Sequence, residues 1–318
     1  MAEVGFLSMG IAVPQKILTN SDLEKMVDTT DEWIMTRSGI KERRILRDDE
    51  TIATFVVEAA KTACERSKVD SRKLDFIISS TLTPDRICPA QAFEVAHHLK
   101  TENPFCFDLN AACSGFIYGM AAAESFLKTR DIKMGLVTSG EQLTIMTDYT
   151  DRASCVLFGD AAGALVMTNE NPEHLLLHTE IGSIPSMAEE VRIGGVRHLL
   201  QDRKSEYYFN QNGKTVFKFA VNTIKDLYNT VPQKVGLKPE QIHYIIPHQA
   251  NIRIIDAAKD FAVGKTEFIC NIELYGNTSS ASIPLALHDS WDRFQKGDYI
   301  LLIGFGAGLS WAAALVEW

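Results

Sequence analysis

The chain has 318 residues, 46% hydrophobic and 23% charged, enough to bury one large core or two fused ones and too apolar for a disordered chain. Its net charge of −9 disfavours general nucleic-acid binding, which rests on Lys and Arg neutralising phosphates, but leaves room for a local basic patch. Cys64, Cys88, Cys106, Cys113, Cys155 and Cys270 include no C-x-x-C pair; they exclude a disulfide framework, show no metal site, and favour reduced thiols in a cytoplasmic setting.

In chain order, "MAEVGFLSMGIAVPQ" lacks the basic and apolar regions of a signal peptide, so secretion is not expected. "TIATFVVEAAKTACERS" reads as an amphipathic helix, followed by strand-like "KLDFIISSTL", "NPFCFDLN" and "KMGLVTSG". A second helix, "KFAVNTIKDLYNTVPQKV", precedes strands "HYIIPH", "EFICNI" and "YILLIGFG". This alternation predicts an α/β protein with covered sheets. The run "YILLIGFGAGLSWAAALV" approaches the length of a membrane span, but Gly304, Gly306 and Gly308 break a helix and suit two buried strands joined by a tight turn. No membrane insertion is expected.

The two halves resemble each other. "KLDFIISST" matches "QIHYIIPHQ" at a shift of 168, "CFDLNAACSG" aligns with "CNIELYGNTS" at 164, and "LVTSG" with "LIGFG" at 166. Three segments in one order point to duplication of an α/β unit, with halves spanning 1–170 and 171–318. The alignment sets Cys113 opposite Asn277 at equivalent strand-to-helix junctions, which could face one shared site.

Four stretches carry chemistry. In "LNAACSGF", Cys113 falls at the first turn of a helix, where the dipole and free N–H groups are expected to lower its pKa and make it a nucleophile; the alternative is a buried Cys acting as a small hydrophobe. In "IIPHQAN", His248 follows a buried strand at the sheet's carboxyl edge, where ligand sites of α/β proteins gather; the alternative is an ordinary loop histidine. In "LYGNTSSASIP", Asn277 presents an amide donor, though read alone it is the residue type that caps a helix. In "GFGAGLSW", glycines let backbone N–H groups point into a cavity, as an oxyanion site requires.

Together with "DTTDEWIMTRSGIKERR", "DRASCVLFGDAAGALV" and "VFKFAV", these stretches resemble the thiolase-fold condensing enzymes, most closely the β-ketoacyl-acyl carrier protein synthase III family, over nearly the whole chain. The resemblance implies a thiolase-like fold of duplicated halves in five layers, αβαβα, and a homodimer. It implies that Cys113 is acylated by an acyl-CoA, that His248 and Asn277 stabilise the enolate formed when malonyl-acyl carrier protein loses carbon dioxide, and that the backbone N–H groups of Cys113 and Ala307 hold the tetrahedral oxyanion. No cofactor is implied.

The same resemblance places Thr29, Trp33, Arg37 and Arg152 at the CoA head, and Phe217, Asn251 and Arg253 along the pantetheine channel. Each could instead be a core or solvated surface residue. Lys218, Arg253 and Lys259 are the carrier-protein docking candidates, since an acidic carrier needs local positive charge. Cys88, in "DRICPAQAF", stands where many relatives carry a bulky residue reaching across the dimer interface to close the acyl pocket, so a roomier pocket is expected. A condensing enzyme of a specialised pathway, using another donor or malonyl-CoA, is the first alternative; an acyl-CoA thioesterase or a non-catalytic acyl-CoA-binding protein is the second.

Overall fold

The computed structural model describes residues 3–200 and 204–318. Ten strands form its large central sheet, beside two small two-stranded ribbons. Five lie in the first half: β1 (Gly5–Ala12), β2 (Phe76–Ser80), β3 (Phe105–Leu109), β4 (Met134–Gln142) and β5 (Asp160–Thr168). Five follow: β6 (His174–Gly182), β7 (Tyr244–Pro247), β8 (Glu267–Phe268), β9 (Tyr299–Gly306) and β10 (Ser310–Glu317). The spatial order is β8-β7-β9-β10-β6-β1-β5-β4-β2-β3. Each half therefore repeats one order, 1-5-4-2-3 and 6-10-9-7-8, with parallel pairs at its outer edge and antiparallel pairs toward the middle. In the large sheet the halves meet where β1 meets β6, at Gly5 with Leu175 and Phe6 with His174.

Seven helices matter for the site: α1 (Asp31–Ser38), α2 (Ile52–Ser67), α3 (Gln91–Leu99), α4 (Gly115–Thr129), α5 (Gly213–Thr230), α6 (Ile252–Lys259) and α7 (Ser282–Asp289). α2 and α3 cover the outer face of the first half, and α5 with α6 covers that of the second. Between the sheets, α4 packs on β2 and β4 from one side and on β9 and β10 from the other, while α7 spans from β1 and β5 to β7 and β9. The result is the five-layered αβαβα thiolase-like architecture.

Strand alternation distributes the apolar side chains among these layers. Phe76 and Ile78 face the central core with Phe116 and Leu302, while Ile77 between them joins Val56 and Leu136 under α2. In the second half Ile300 and Leu302 point inward, and Leu301 and Ile303 join Ile224 and Ile245 under α5. Both faces being covered explains why β2 and β5 are buried at every residue.

Three sequence expectations need correction. The second helix begins at Gly213 because the Asn212 side chain caps Thr215 N, and it stops at Thr230 ahead of Pro232, so "PQKV" forms a separate 3-10 turn. β1, β5 and β6 were not read as strands; Gly and Ala dilute the β signal of "GFLSMGIA" and "DAAGALVMT". The third concerns the duplicated junctions. The turns Ala112–Ser114 and Ser279–Ala281 enter α4 and α7, and their first residues share a left-handed backbone, φ 48° at Ala112 and 52° at Ser279. That places Ser280 opposite Cys113 and Asn277 opposite Asn110. The side chains agree: Asn110 Oδ1 accepts Ala112 N at 3.2 Å, and Asn277 Oδ1 accepts Ser279 N at 2.9 Å.

His174 lies against Trp318, Trp291 and Phe6, with ring centroids 3.7, 5.0 and 5.1 Å away. Burial lowers its pKa from 6.5 to about 4. Between those values the unfolded chain takes up a proton that the folded chain refuses, so stability is full above pH 6.5 and is lost as pH falls through that window. His174→Phe is expected to reduce the drop in thermal stability between pH 7.5 and pH 5, by on the order of 2 kcal/mol, measured as Tm of both proteins at each pH.

Candidate active site

Cys113 sits on the three-residue turn between β3 and α4, packed against the end of β9. A Cβ at Gly306 would lie 2.8 Å from Cys113 N, and one at Gly304 would lie 3.0 Å from Ser114 Cα. Glycine is thus required where the Cys113 backbone rests on the strand. Burial pushes the thiol from 9.0 up to about 12, opposed by a hydrogen bond with the Ser279 side chain and reinforced by the negative charge of Glu141. This corrects the expectation of a lowered pKa: a helix dipole contributes at most about 2 kcal/mol, whereas the rise corresponds to on the order of 4 kcal/mol.

His248 follows β7, its N–H donating to Ile303 O at 2.7 Å, so the ladder itself sets where the ring begins. The ring is buried against Phe305, and burial lowers its pKa to about 3. It is a neutral imidazole. Nδ1 lies 2.7 Å from Ser282 Oγ at the start of α7, and that oxygen also accepts Gln249 N at 3.3 Å.

Asn277 is fixed at three points. Its N–H donates to Leu157 O at 2.8 Å, its carbonyl accepts Gly159 N at 3.1 Å, and Oδ1 accepts Ser279 N. The capping contact and the site position are therefore the same arrangement: with Oδ1 occupied, Nδ2 is the end left to donate elsewhere. Arg43 supports this segment from below. It is fully buried and donates to Val156 O, Leu18 O and Asn20 Oδ1.

Cys113, His248, Asn277 and Ala307 line one small cavity of about 70 Å³, walled by apolar residues including Leu82, Leu143, Phe158 and Phe305. It adjoins an open groove of about 650 Å³, with Phe158, Phe209, Val216 and Asn277 common to both. The groove takes Trp33 and Arg37 from the first half and Phe217, Asn251 and Arg253 from the second. Asn251 joins them: Nδ2 donates to Arg37 O at 2.9 Å while Oδ1 caps Arg253 N at 2.9 Å.

The remaining sequence candidates are placed less centrally. Arg152 is outside the groove lining, but its guanidinium stands 4.7 Å from the Trp33 ring centroid and donates to Asp28 O. Thr29 does not line the groove. Lys218 is exposed beside Phe217, and Lys259 pairs with Asp256 at 2.8 Å. Cys88 is exposed and does not reach the cavity of its own chain.

A family model described as 3-oxoacyl-[acyl-carrier-protein (ACP)] synthase III matches residues 107–185, and its C-terminal counterpart matches residues 233–318. The beta-ketoacyl-[acyl-carrier-protein] synthase III of Aquifex aeolicus is 41% identical over 98% of both chains. This chain belongs to the synthase III family. The synthase III 1 of Bacillus anthracis is likewise 41% identical, over 99% of both chains. Among solved structures, the Aquifex aeolicus synthase III matches with a TM-score of 0.91 at 40% identity, covering all of both chains. The priming beta-ketosynthase of the R1128 polyketide pathway gives 0.93 at 32% identity, covering 99% of this chain and 96% of that one.

As a synthase III the chain is a condensing acyltransferase of fatty acid biosynthesis. Among the described residues no helix is long and apolar enough to cross a membrane; the final apolar run is the β9–β10 hairpin. Sequence reasoning missed several site residues. Val191 and Ile193 complete the cavity wall, and Lys214 adds charge to the groove. Ser279, Ser282 and Glu141 were also missed. In "LVTSGEQL" Glu141 stands among polar residues, so nothing local marked it as a fully buried carboxylate.

Proposed function

We propose that this synthase III joins an acyl-CoA primer to malonyl-acyl carrier protein through an acyl-Cys113 intermediate. The observation that carries the reading is that Cys113, His248 and Asn277 line one apolar cavity reached by a long groove. The half spanning 1–170 supplies the nucleophile, and the half spanning 171–318 supplies the imidazole and amide. Cys113 sulfur attacks the primer thioester, and CoA leaves as the thiol. The malonyl thioester then enters and loses carbon dioxide, and its enolate oxygen is held by His248 and Asn277. In this reading Ser282 Oγ gives its hydroxyl hydrogen to His248 Nδ1, the tautomer that leaves Nε2 carrying the proton that is donated.

The carbanion attacks acyl-Cys113. Backbone N–H groups of Cys113 and Ala307 hold the tetrahedral oxyanion, and the Cys113 sulfur departs to give the β-ketoacyl carrier product. Thioester activation and decarboxylation drive the sequence, so the reading requires no cofactor. It also places the protein in the cytoplasm, with its substrates. At the mouth, Trp33 between Arg37 and Arg152 suits an adenine ring and its phosphates. Thr29, Phe217, Asn251 and Arg253 complete the CoA path, and Lys218, Arg253 and Lys259 face the acidic carrier.

A second copy of the chain would cover the face around α2 and α3, where Ile87 and Phe93 are 85% and 52% exposed beside a groove of about 700 Å³. Cys88 lies on that face, from which it would border the partner's acyl pocket. The structural likeness to the R1128 priming ketosynthase favours one second reading, a condensing enzyme of a specialised pathway.

Intact-protein mass spectrometry tests the core of this reading. Acyl-CoA is expected to add one acyl group to the wild type and none to Cys113→Ala, and malonyl-acyl carrier protein is expected to discharge it with formation of β-ketoacyl product. Acceptance of hexanoyl-CoA would support the roomy pocket; a steep fall beyond acetyl-CoA would rule it out. Discharge by malonyl-CoA in place of the carrier substrate would favour the specialised pathway, and extender-independent release of free acid would mark a thioesterase.

Trp33→Ala is expected to raise KM for acyl-CoA about tenfold, leaving KM for malonyl-acyl carrier protein unchanged, and Lys218→Glu to do the reverse. Steady-state kinetics with each substrate varied would separate the two surfaces. For the homodimer, light scattering should find twice the chain mass for the wild type and a shift toward monomer for Ile87→Asp; an unchanged mass would reject this face as the interface.

A further inference from the structure

Glu141, next to last in β4, is fully buried, and among the described residues no lysine, arginine or histidine forms an ion pair with it. Four donors fill its carboxylate instead. Oε1 accepts Ser280 Oγ at 2.7 Å and Ser279 Oγ at 3.1 Å, and Oε2 accepts Leu82 N and Thr83 Oγ1, both at 3.1 Å. Two carboxylate oxygens offer about four lone-pair sites, so an ionised Glu141 has each of them taken and no hydrogen of its own to place. Burial raises its pKa from 4.5 to about 7, opposed by these four bonds.

The two oxygens hold different parts of the site. On the Oε1 side, Ser279 is fixed at both ends: its hydroxyl donates to Glu141, and its N–H donates to Asn277 Oδ1 at 2.9 Å, the contact that leaves Nδ2 as the donating end of Asn277. On the Oε2 side, Leu82 lines the cavity, and Thr83 Oγ1 accepts Gln142 N at 2.7 Å, which closes this loop onto the end of β4. The residue before them, Thr81, donates its N–H to Leu109 O at 3.1 Å, at the end of the strand that leads into the Cys113 turn. One side chain thus ties a loop of the first half to a turn of the second.

We infer that Glu141 is a positioning residue: by tying the Ser279–Ser280 turn to the Leu82–Thr83 loop, its carboxylate fixes where Asn277 faces the cavity. The inference rests on the reading in which Cys113 takes the acyl group and Asn277 holds the enolate. Glu141 does not itself line the cavity and acts through Ser279. A neutral amide of the same shape cannot replace it, because it offers one oxygen and an NH2 to a ring of four donors. Hydroxyls can turn round to accept, but Leu82 N cannot, so the amide oxygen stays with Leu82 and the NH2 is left facing Ser279 and Ser280. Those hydroxyls then lose the acceptor that fixes them, and Asn277 loses its anchored neighbour. In that reading discharge by the malonyl thioester needs Asn277 and acylation of Cys113 does not, so the two half-reactions respond differently.

The test separates the half-reactions in the intact protein at about pH 8, where Glu141 is ionised, with Tm recorded for each variant. Mass spectrometry follows acylation after mixing with acyl-CoA, and discharge after mixing the isolated acyl-enzyme with malonyl-acyl carrier protein. Glu141→Gln is expected to acylate within about twofold of wild type and to discharge about 10- to 100-fold more slowly, the cost of an ångström-scale misplacement. In an Asn277→Ala background, already slow in discharge, the same substitution should change the rate by less than about twofold, because both act through one amide. Ser280→Ala, which removes only the 2.7 Å bond, should show the same split. Equal slowing of both half-reactions, full additivity with Asn277→Ala, or wild-type discharge by a folded Glu141→Gln would each overturn the inference. If Glu141→Gln does not fold, Ser280→Ala decides, alone and combined with Asn277→Ala. Wild type that is never acylated at Cys113, or Asn277→Ala that discharges at the wild-type rate, defeats the underlying reading and the inference with it.

Discussion

The turns Ala112–Ser114 and Ser279–Ala281 pack against each other at the centre of the molecule, each also resting on the end of a strand from the opposite half. Ala112 and Ser279 hold left-handed backbones, a conformation that costs a non-glycine residue on the order of 1 kcal/mol and persists only where the surroundings fix it. The fixing is mutual. β9 ends in glycines because Cys113 lies on it, and β4 ends in a carboxylate that ties down both serines of the other turn. Displacing either turn would move Cys113 relative to Asn277 and His248 together.

Burial at that contact decides the chemistry. A helix terminus alone would favour a thiolate, and an exposed His248 would titrate near neutrality. Here desolvation outweighs both, leaving a protonated thiol and a neutral imidazole. The residues around the cavity therefore act on its contents through directed hydrogen bonds rather than charge, each worth more there than in water. Positive charge is kept at the entrance, on Arg37, Lys214 and Arg253, where it attracts an acidic ligand without charging the reacting centre.

The parts of this design legible in the sequence are those written in local patterns. Cys113 and His248 stood out because each follows an apolar strand, Asn277 because it opens a run of small residues, and the glycines of "GFGAGLSW" correctly divided an apolar run into two strands. Glu141 and Ser279 did not, because their meaning depends on contacts between residues 138 positions apart. Cys113's protonation state was misread for a related reason: helix position is local and burial is not. Asn277 was assigned the right place through the wrong equivalence, since an insertion before α7 changes the shift within a few residues.

The corrected equivalence shows how one duplicated unit yields an asymmetric site. At corresponding places on the two turns stand Cys113 and Ser280; on the strands the ladders, pairing Phe76 with Gly135 and Tyr244 with Ile300, correct the shift of 166 to 165 and set Glu141 of β4 opposite Gly306 of β9. Beside the glycine, the sulfur's backbone is seated on the strand and its side chain is left facing the cavity. Beside the glutamate, the equivalent hydroxyl is bound at 2.7 Å and withdrawn from it. Two substitutions in a shared frame thus convert two equivalent junctions into one that faces the cavity and one that supports it. The pairing of Asn110 with Asn277 follows the same rule. Both cap their own turn, but only the second, set beside Leu157 and Gly159, also lines the cavity that holds Cys113 and His248.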